Sequence, residues 1–185
     1  MTDTLLSNRR HFLRRAAHLA AAGALPALSA PARASVTQAR GLALAHTHTR
    51  EQLDLVYAVN DRYVPEALGS LNHFLRDHYT GDIGRIDPRL FDLLHRVQQM
   101  LGSSRTFEVI SGYRGPATNT RLRETRGGGV AKHSLHMEGL AIDVRLPGAS
   151  LADLRDAALS LRAGGVGFYP RDQFVHLDIG RVRSW

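Results

Sequence analysis

The sequence predicts a single α+β domain in which a small antiparallel sheet is flanked by helices. Its 185 residues suffice for one domain with a hydrophobic core and hardly for two. Segments with apolar residues at helical spacing mostly precede the short apolar strands, and one further helix is inserted among those strands. Residues 35–185 contain no internal repeat and no low-complexity stretch. Helices and strands grouped in this way are typical of a compact α+β domain.

The N-terminal half of this domain is expected to form a strand pair followed by two helices. Residues 41–49 alternate apolar and polar side chains, which predicts a strand, and residues 54–64 look like its hairpin partner. Residues 65–79 are expected to form a helix, since they begin with a proline and carry apolar residues at helical spacing. Asp87 is a predicted N-cap for a second helix over 88–100, because a proline and a stripe of leucines follow it.

The C-terminal half is expected to consist of short strands separated by loops and helices. The predicted strands are residues 106–113, 140–146, 164–170 and 173–180. A short helix is predicted within 114–124 and a longer one over 150–161. Residues 125–133 contain three consecutive glycines, which predicts a loop.

The N-terminus has the features of an export signal. Residues 8–15, "NRRHFLRR", contain paired arginines followed by Phe-Leu, which is the twin-arginine pattern. The apolar run over 16–28 is too short and too rich in alanine to span a bilayer as a stable helix. "ARA" at 32–34 offers small residues at the −3 and −1 positions of a cleavage site. We therefore expect a twin-arginine signal peptide over 1–34 and a periplasmic domain over 35–185.

Composition excludes several kinds of site and partner. Cysteine is absent, so disulfides and thiolate metal sites are excluded and a metal would need imidazole, carboxylate or water ligands. Five arginines and one aspartate in the first 34 residues carry +4 of the formal charge of +7. The remaining charge of about +3 is ordinary for a soluble domain and compatible with an anionic polymer. Without a basic block or a basic strip interleaved with aromatics, nucleic acid is not expected as a partner.

Three polar residues stand in apolar surroundings near the C-terminus. Asp143 lies in the strand "LAIDVRL", His136 precedes that strand, and His176 lies in the strand "FVHLD". A buried carboxylate or imidazole requires a partner, and two imidazoles with one carboxylate are a known ligand set for catalytic zinc. The residues by themselves leave the alternative open that each is an ordinary core residue with its own hydrogen bonds.

The segment "SLHMEGLAID" at 134–143 resembles the S-x-H-x-x-G-x-A-x-D signature of the zinc peptidases that include D-Ala-D-Ala carboxypeptidases and Hedgehog-like domains. "ISGYRGPATN" and "GGVGFYPRDQFVHLDIGRVRSW" are similar to one branch, the exported murein endopeptidases of the MepK (YcbK-like) type. The resemblance covers about residues 42–185. It implies a Hedgehog/D-Ala-D-Ala peptidase-like fold and a Zn²⁺ ion held by His136, Asp143 and His176. It also implies hydrolysis of the peptide cross-links of peptidoglycan.

The resemblance further implies that Arg114, in "SGYRGP", faces the substrate. In relatives this arginine stabilises an oxyanion or a carboxylate, a task that suits a forked and always charged guanidinium group. Gly115 replaces the usual serine, so a hydrogen bond from that hydroxyl group is not expected. Ser134 is expected to support the histidine segment through a hydrogen bond.

The chain departs from related enzymes at the general base. The positions that carry a glutamate or a histidine in relatives are Gln173 and Phe174, and neither accepts a proton. Asp178 is the predicted base because it shares a strand face with His176, although it could instead hold that histidine in one tautomer. Asp172 and His133 are the other candidates.

Three functions follow from these observations. The first is a zinc murein endopeptidase, acting as a monomer, that cuts next to the diaminopimelate of cross-linked stem peptides. The second is a D,D- or L,D-carboxypeptidase that trims stem peptides. The third is a zinc-containing domain that binds peptidoglycan without cutting it, which the missing glutamate or histidine base would favour.

Overall fold

The computed structural model describes residues 38–125 and 130–185. The predicted signal peptide over 1–34 and part of the predicted glycine-rich loop lie outside these residues. The described strands are β1 (Ala39–His46), β2 (Gln52–Val59), β3 (Arg62–Tyr63), β4 (Phe107–Ser111), β5 (Ala141–Arg145), β6 (Gly165–Tyr169), β7 (Phe174–Asp178) and β8 (Arg183–Ser184). The described α-helices are α1 (Pro65–Phe74), α2 (Pro88–Met100), α3 (Pro116–Thr125) and α4 (Leu151–Leu161).

All these strands join one sheet in the order β3-β2-β1-β4-β5-β7-β6-β8. β1 pairs with β4 and β6 pairs with β8 in parallel, whereas the other neighbours are antiparallel. The α+β class is therefore confirmed, but the sheet is mixed and larger than the small antiparallel sheet predicted. Helices α1 and α2 lie between β3 and β4 in the chain and provide the long connection that a parallel pair requires. Side-chain alternation identifies a strand but does not identify its neighbours.

Helix α2 supplies much of the core. It begins as predicted, since the Asp87 side chain accepts a hydrogen bond from the backbone N–H of Arg89. The helix packs against β1 and α4, and its buried apolar side chains are Leu90, Phe91, Leu93, Leu94 and Val97. Removing this apolar surface from water stabilises the stack of helix on sheet. No helix in the described part of the chain is long and apolar enough to cross a membrane.

Helix α1 ends at Phe74, five residues before the predicted end at about Tyr79. The carbonyl oxygen of Leu75 accepts a hydrogen bond of 2.7 Å from the backbone N–H of Tyr113 instead of continuing the helix. Gly112 permits this approach, because a Cβ at that position would lie 2.6 Å from the Leu75 oxygen. Asp77, just after the helix, accepts a hydrogen bond from the backbone N–H of Gly115. The early end of α1 therefore fixes the segment that carries Arg114.

Candidate metal centre

Two neighbouring strands place a carboxylate beside an imidazole. Asp143 on β5 and His176 on β7 are register partners in the antiparallel ladder. His136 approaches from outside the sheet on a 3-10 turn over Leu135–Glu138. The turn ends at Gly139 in the left-handed conformation with φ +69°. A Cβ there would lie 1.9 Å from the carbonyl oxygen of Arg85, so only glycine fits this link between His136 and β5.

Donor atoms of the three predicted ligands converge. His136 Nε2 lies 3.3 Å and His176 Nδ1 lies 2.9 Å from Asp143 Oδ1, and the two imidazole nitrogens are 3.2 Å apart. Ligands about 2.0–2.2 Å from one tetrahedral zinc ion lie about 3.3–3.5 Å from one another. Within residues 38–125 and 130–185, these three side chains are the group of histidine and acidic residues whose donor atoms lie close enough together to hold one metal ion.

The outer nitrogen of each histidine is occupied by a hydrogen bond. His136 Nδ1 lies 2.8 Å from the carbonyl oxygen of Gly112, which only accepts, so this nitrogen carries the proton and Nε2 offers its lone pair. His176 Nε2 lies 3.1 Å from Asp178 Oδ2, which leaves Nδ1 directed at the other donor atoms. Histidines that bind metals are commonly oriented in this way. The nitrogen and oxygen donors, their spacing and the fixed tautomers fit a zinc ion.

The electrostatics of the metal-free protein also reflect this convergence. Burial opposes the charged imidazolium form of His176, but hydrogen bonds to Asp143 and Asp178 outweigh burial and raise the pKa of His176 to about 9. Burial likewise opposes ionisation of Asp143, yet His136 and His176 hold the pKa of its carboxyl group well below its usual range. Both nitrogens of His176 therefore carry protons at neutral pH in the metal-free protein, and the Nδ1 proton must leave before that atom can bind a cation.

Asp178 lies on the side of His176 that faces away from Asp143. Its carboxylate is fully buried and accepts hydrogen bonds from the backbone N–H groups of Gly165 and Gly180, at 2.9 and 2.8 Å. Arg183 donates two more, at 3.2 and 2.8 Å. These donors come from β6, from the segment between β7 and β8, and from β8, and they enclose the carboxylate behind the imidazole ring. This enclosure favours the role of holding His176 in one tautomer, and the role of Asp178 as the base stays a prediction.

Arg114 lies beside the three donors. One of its guanidinium nitrogens is 3.7 Å from Asp143 Oδ2, and its backbone N–H donates a hydrogen bond of 3.2 Å to the carbonyl oxygen of His136. Its side chain is 13% exposed. The guanidinium group is thus held beside the three candidate metal ligands, with part of its surface open to a ligand.

A cleft of about 790 Å³ opens onto the three donor residues and Arg114. His133 and Asp172, the other candidates for the base, are both exposed and both line this cleft. Ser134 is buried at its edge, and within the described residues its side chain does not cap the 3-10 turn that carries His136. Its carbonyl oxygen instead accepts a hydrogen bond of 2.9 Å from the backbone N–H of Met137.

Three residues in the wall of the cleft were missed from the sequence: Tyr169, Arg183 and Trp185. Tyr169 ends β6, while Arg183 begins β8 and Trp185 follows it. The sequence feature that could have indicated them is the pair of large aromatic residues that flank the strand of His176. Their convergence on the three candidate metal ligands depends on the pairing of β6 with β7 and β8, which local sequence does not reveal.

Comparisons with known proteins agree on one family of relatives. The family model described as peptidoglycan L,D-endopeptidase MepK (Peptidase_M15_2) matches residues 34–185. The chain is 44% identical over 183 residues to the peptidoglycan L,D-endopeptidase MepK of Escherichia coli (strain K12), covering 99% of this chain and all of the relative. It is 39% identical over 153 residues to the probable peptidoglycan L,D-endopeptidase MepK of Haemophilus influenzae, covering 82% of this chain and 81% of that protein. No solved structure gives a significant match.

Proposed function

This chain belongs to the family of the peptidoglycan L,D-endopeptidase MepK and is a murein endopeptidase, and on that premise we propose that it works with a zinc ion held by His136, Asp143 and His176. The observation that carries the proposal is the convergence of their three donor atoms, which lie 2.9–3.3 Å apart in the floor of the cleft. When bound, zinc supplies a Lewis acid that polarises a carbonyl group and lowers the pKa of water.

The chain's own residues supply the remaining chemistry. The position of Arg114 suits donation of hydrogen bonds from its fork to the oxygen of the scissile amide or to a nearby carboxylate. Asp178 orients His176 through Nε2, in agreement with its burial and its enclosure by other donors. The proton that the leaving nitrogen requires is carried by a residue exposed in the cleft, and both Asp172 and His133 meet that condition. Asp178 as the base stays a prediction, but its geometry favours the orienting role.

A second, smaller cavity that shares lining residues with the cleft supports an endopeptidase rather than a carboxypeptidase. It measures about 190 Å³ and shares Arg114, Asp143, Asp172 and Phe174 with the larger cleft. Asp143 lines both cavities, so a substrate bound there has room to extend beyond the cleaved bond, as a cross-link between stem peptides does. The relatives are named L,D-endopeptidases, and we propose the same bond type for this chain.

The site of action follows from the substrate. Peptidoglycan lies outside the cytoplasm, so the enzyme must be exported to reach it. We propose that the paired arginines Arg9 and Arg10 direct the chain to the twin-arginine route, that residues 1–34 are then removed, and that the periplasmic enzyme acts as a monomer.

A muropeptide profile tests the function. Purified peptidoglycan is incubated with zinc-loaded protein that begins near Ser35, digested to muropeptides and separated. An endopeptidase removes the cross-linked dimers, and dimers joined by an L,D bond should disappear first. A carboxypeptidase would change only the length of the stem peptides, and a binding domain would leave the profile unchanged. His136→Ala with His176→Ala is the control variant.

A further inference from the structure

Tyr169 and Trp185 form a connected aromatic pair in the wall of the cleft. The indole Nε1–H of Trp185 donates a hydrogen bond of 2.7 Å to the hydroxyl oxygen of Tyr169. On β7, the register partner of Tyr169 is Phe174, and the two rings stack with centroids 4.7 Å apart and an interplanar angle of 19°. The phenol ring is therefore held by stacking on its face and by a hydrogen bond at its tip.

Gly167 makes room for this pair next to the metal centre. It is the register partner of His176 in the β6–β7 ladder. A Cβ at position 167 would lie 2.7 Å from the Trp185 ring and 2.8 Å from the Tyr169 ring, well inside the usual separation of about 3.5–4.0 Å between carbon atoms. The indole consequently packs beside the imidazole of His176, with centroids 5.3 Å apart. The guanidinium group of Arg183 lies 4.8 Å from the indole centroid, so the pair is packed from several directions.

The direction of this hydrogen bond determines what the phenol can do. An indole N–H only donates, so the Tyr169 oxygen accepts and the phenol's own proton remains available. Within the described residues, that hydroxyl group donates to no acceptor. Tyr169 is half-buried, and the cleft that it lines is the one that holds the metal ligands. The fold thus presents an oriented hydrogen-bond donor to whatever occupies the cleft.

We propose that Tyr169 donates a hydrogen bond to a carbonyl or carboxylate oxygen of the bound stem peptide, and that Trp185 is the residue that positions the hydroxyl group. The proposal rests on the murein endopeptidase function, which supplies a substrate rich in both kinds of oxygen. A donor held in place before binding loses little conformational freedom when the substrate arrives, so its hydrogen bond contributes to affinity.

Binding to the metal-free protein tests the donor role without turnover. Trp185 is the only tryptophan of the sequence, and its fluorescence should change in a saturable way as a purified cross-linked muropeptide dimer is added. Tyr169→Phe should raise the dissociation constant at least about fivefold, since one hydrogen bond to the ligand is lost. Tyr63→Phe is the matched control: it removes a phenol hydroxyl that is bonded to Asp92 at the opposite edge of the sheet, and should leave the constant unchanged.

A double-mutant cycle on the zinc-loaded enzyme tests the positioning role. Trp185→Phe should lower kcat/KM severalfold in the otherwise unchanged protein and by less than about twofold in the Tyr169→Phe background, because the hydroxyl group that it positions is then absent. Zinc content should be the same in all four proteins. Equal losses in both backgrounds would show that Trp185 acts through packing alone.

Other outcomes separate this proposal from the proposed function. Unchanged binding in Tyr169→Phe, or no saturable binding by the original protein, would overturn the donor role. An original protein that binds the dimer tightly but cuts no cross-link would reject the endopeptidase function, while the binding constants would still decide the role of Tyr169.

Discussion

Replacing Asp178 with asparagine should weaken zinc binding more than it impairs the reaction. In the structure, one carboxylate oxygen accepts hydrogen bonds from Gly165 and Gly180, and the other accepts from His176 Nε2 and from Arg183. If the asparagine keeps its oxygen on the two backbone N–H groups, its NH₂ group faces His176 and Arg183. Donors then face donors. His176 Nε2 can accept a hydrogen bond from the asparagine only after losing its own proton, which leaves the remaining proton on Nδ1, the atom that should bind the metal.

The expected losses in zinc affinity and in folding stability follow from the hydrogen bonds that the substitution removes. Removing the partner that orients a metal-binding histidine typically costs about 10–100-fold in metal affinity, or about 1.4–2.7 kcal/mol. The folded protein also loses about 1–3 kcal/mol, because buried donors are left without an acceptor. The pKa of the Asp178 carboxyl group is held well below its usual range, since hydrogen bonds from His176 and Arg183 outweigh burial. The stability that this carboxylate contributes is therefore present at neutral pH, where the comparison should be made, and is lost only in acid.

The assay measures zinc affinity and rate on the same protein. Zinc affinity is obtained by competition with a chelator at neutral pH, and cross-link hydrolysis is measured at saturating zinc. For the orienting role we expect weaker zinc affinity and a rate that recovers to within about tenfold when the site is filled. Asp156→Asn is the control, because it makes the same change at an exposed carboxylate whose partner among the described residues is its neighbour Arg155. Unchanged zinc affinity together with a loss of at least about 10²-fold in rate would refute the reasoning and favour Asp178 as the base.

Four further outcomes are expected. Metal analysis after gentle purification should find one zinc per chain, and none in His136→Ala with His176→Ala. Zinc binding at neutral pH should release a proton, because the raised pKa of His176 leaves Nδ1 protonated in the metal-free protein; calorimetry in buffers of different ionisation enthalpy measures this release, and no buffer dependence would contradict it. Arg114→Lys should keep its zinc and lose about 10²–10³-fold in turnover, whereas unchanged turnover would show that its fork does not touch the substrate. Arg9→Lys with Arg10→Lys should stop export, since the receptor reads paired guanidinium groups; normal periplasmic accumulation after fractionation would indicate another route.

Local patterns in the sequence were sufficient for the α+β class and for most elements. Alternating side chains identified β1 and β2, and the cap at Asp87 identified the start of α2, because these signals depend only on nearby residues. The end of α1 was not predictable in the same way. Leu75 leaves the helix to bond with Tyr113, which lies 38 residues further along the chain. The parallel pairing of β1 with β4 likewise depends on distant segments.

For the candidate site, the sequence by itself determined the chemistry of the ligands. His136, Asp143 and His176 offer nitrogen and oxygen donors within apolar surroundings, and the absence of cysteine excludes thiolates. A resemblance in residue spacing then implied that the three belong to one centre. Their distances from one another depend on the register of β5 with β7 and on the turn at Gly139, so those distances required the structure.

Only the tertiary structure decided which hydrogen bonds the residues around His176 make and where those residues lie. Period-two alternation places Asp178 on the face of His176, but it cannot show that donors from β6 and β8 enclose that carboxylate behind the ring. The same long-range pairing carries Tyr169 and Trp185 to the cleft. Chain spacing specifies which residues share a strand face, whereas the direction of each hydrogen bond depends on the partners that distant strands bring to that face.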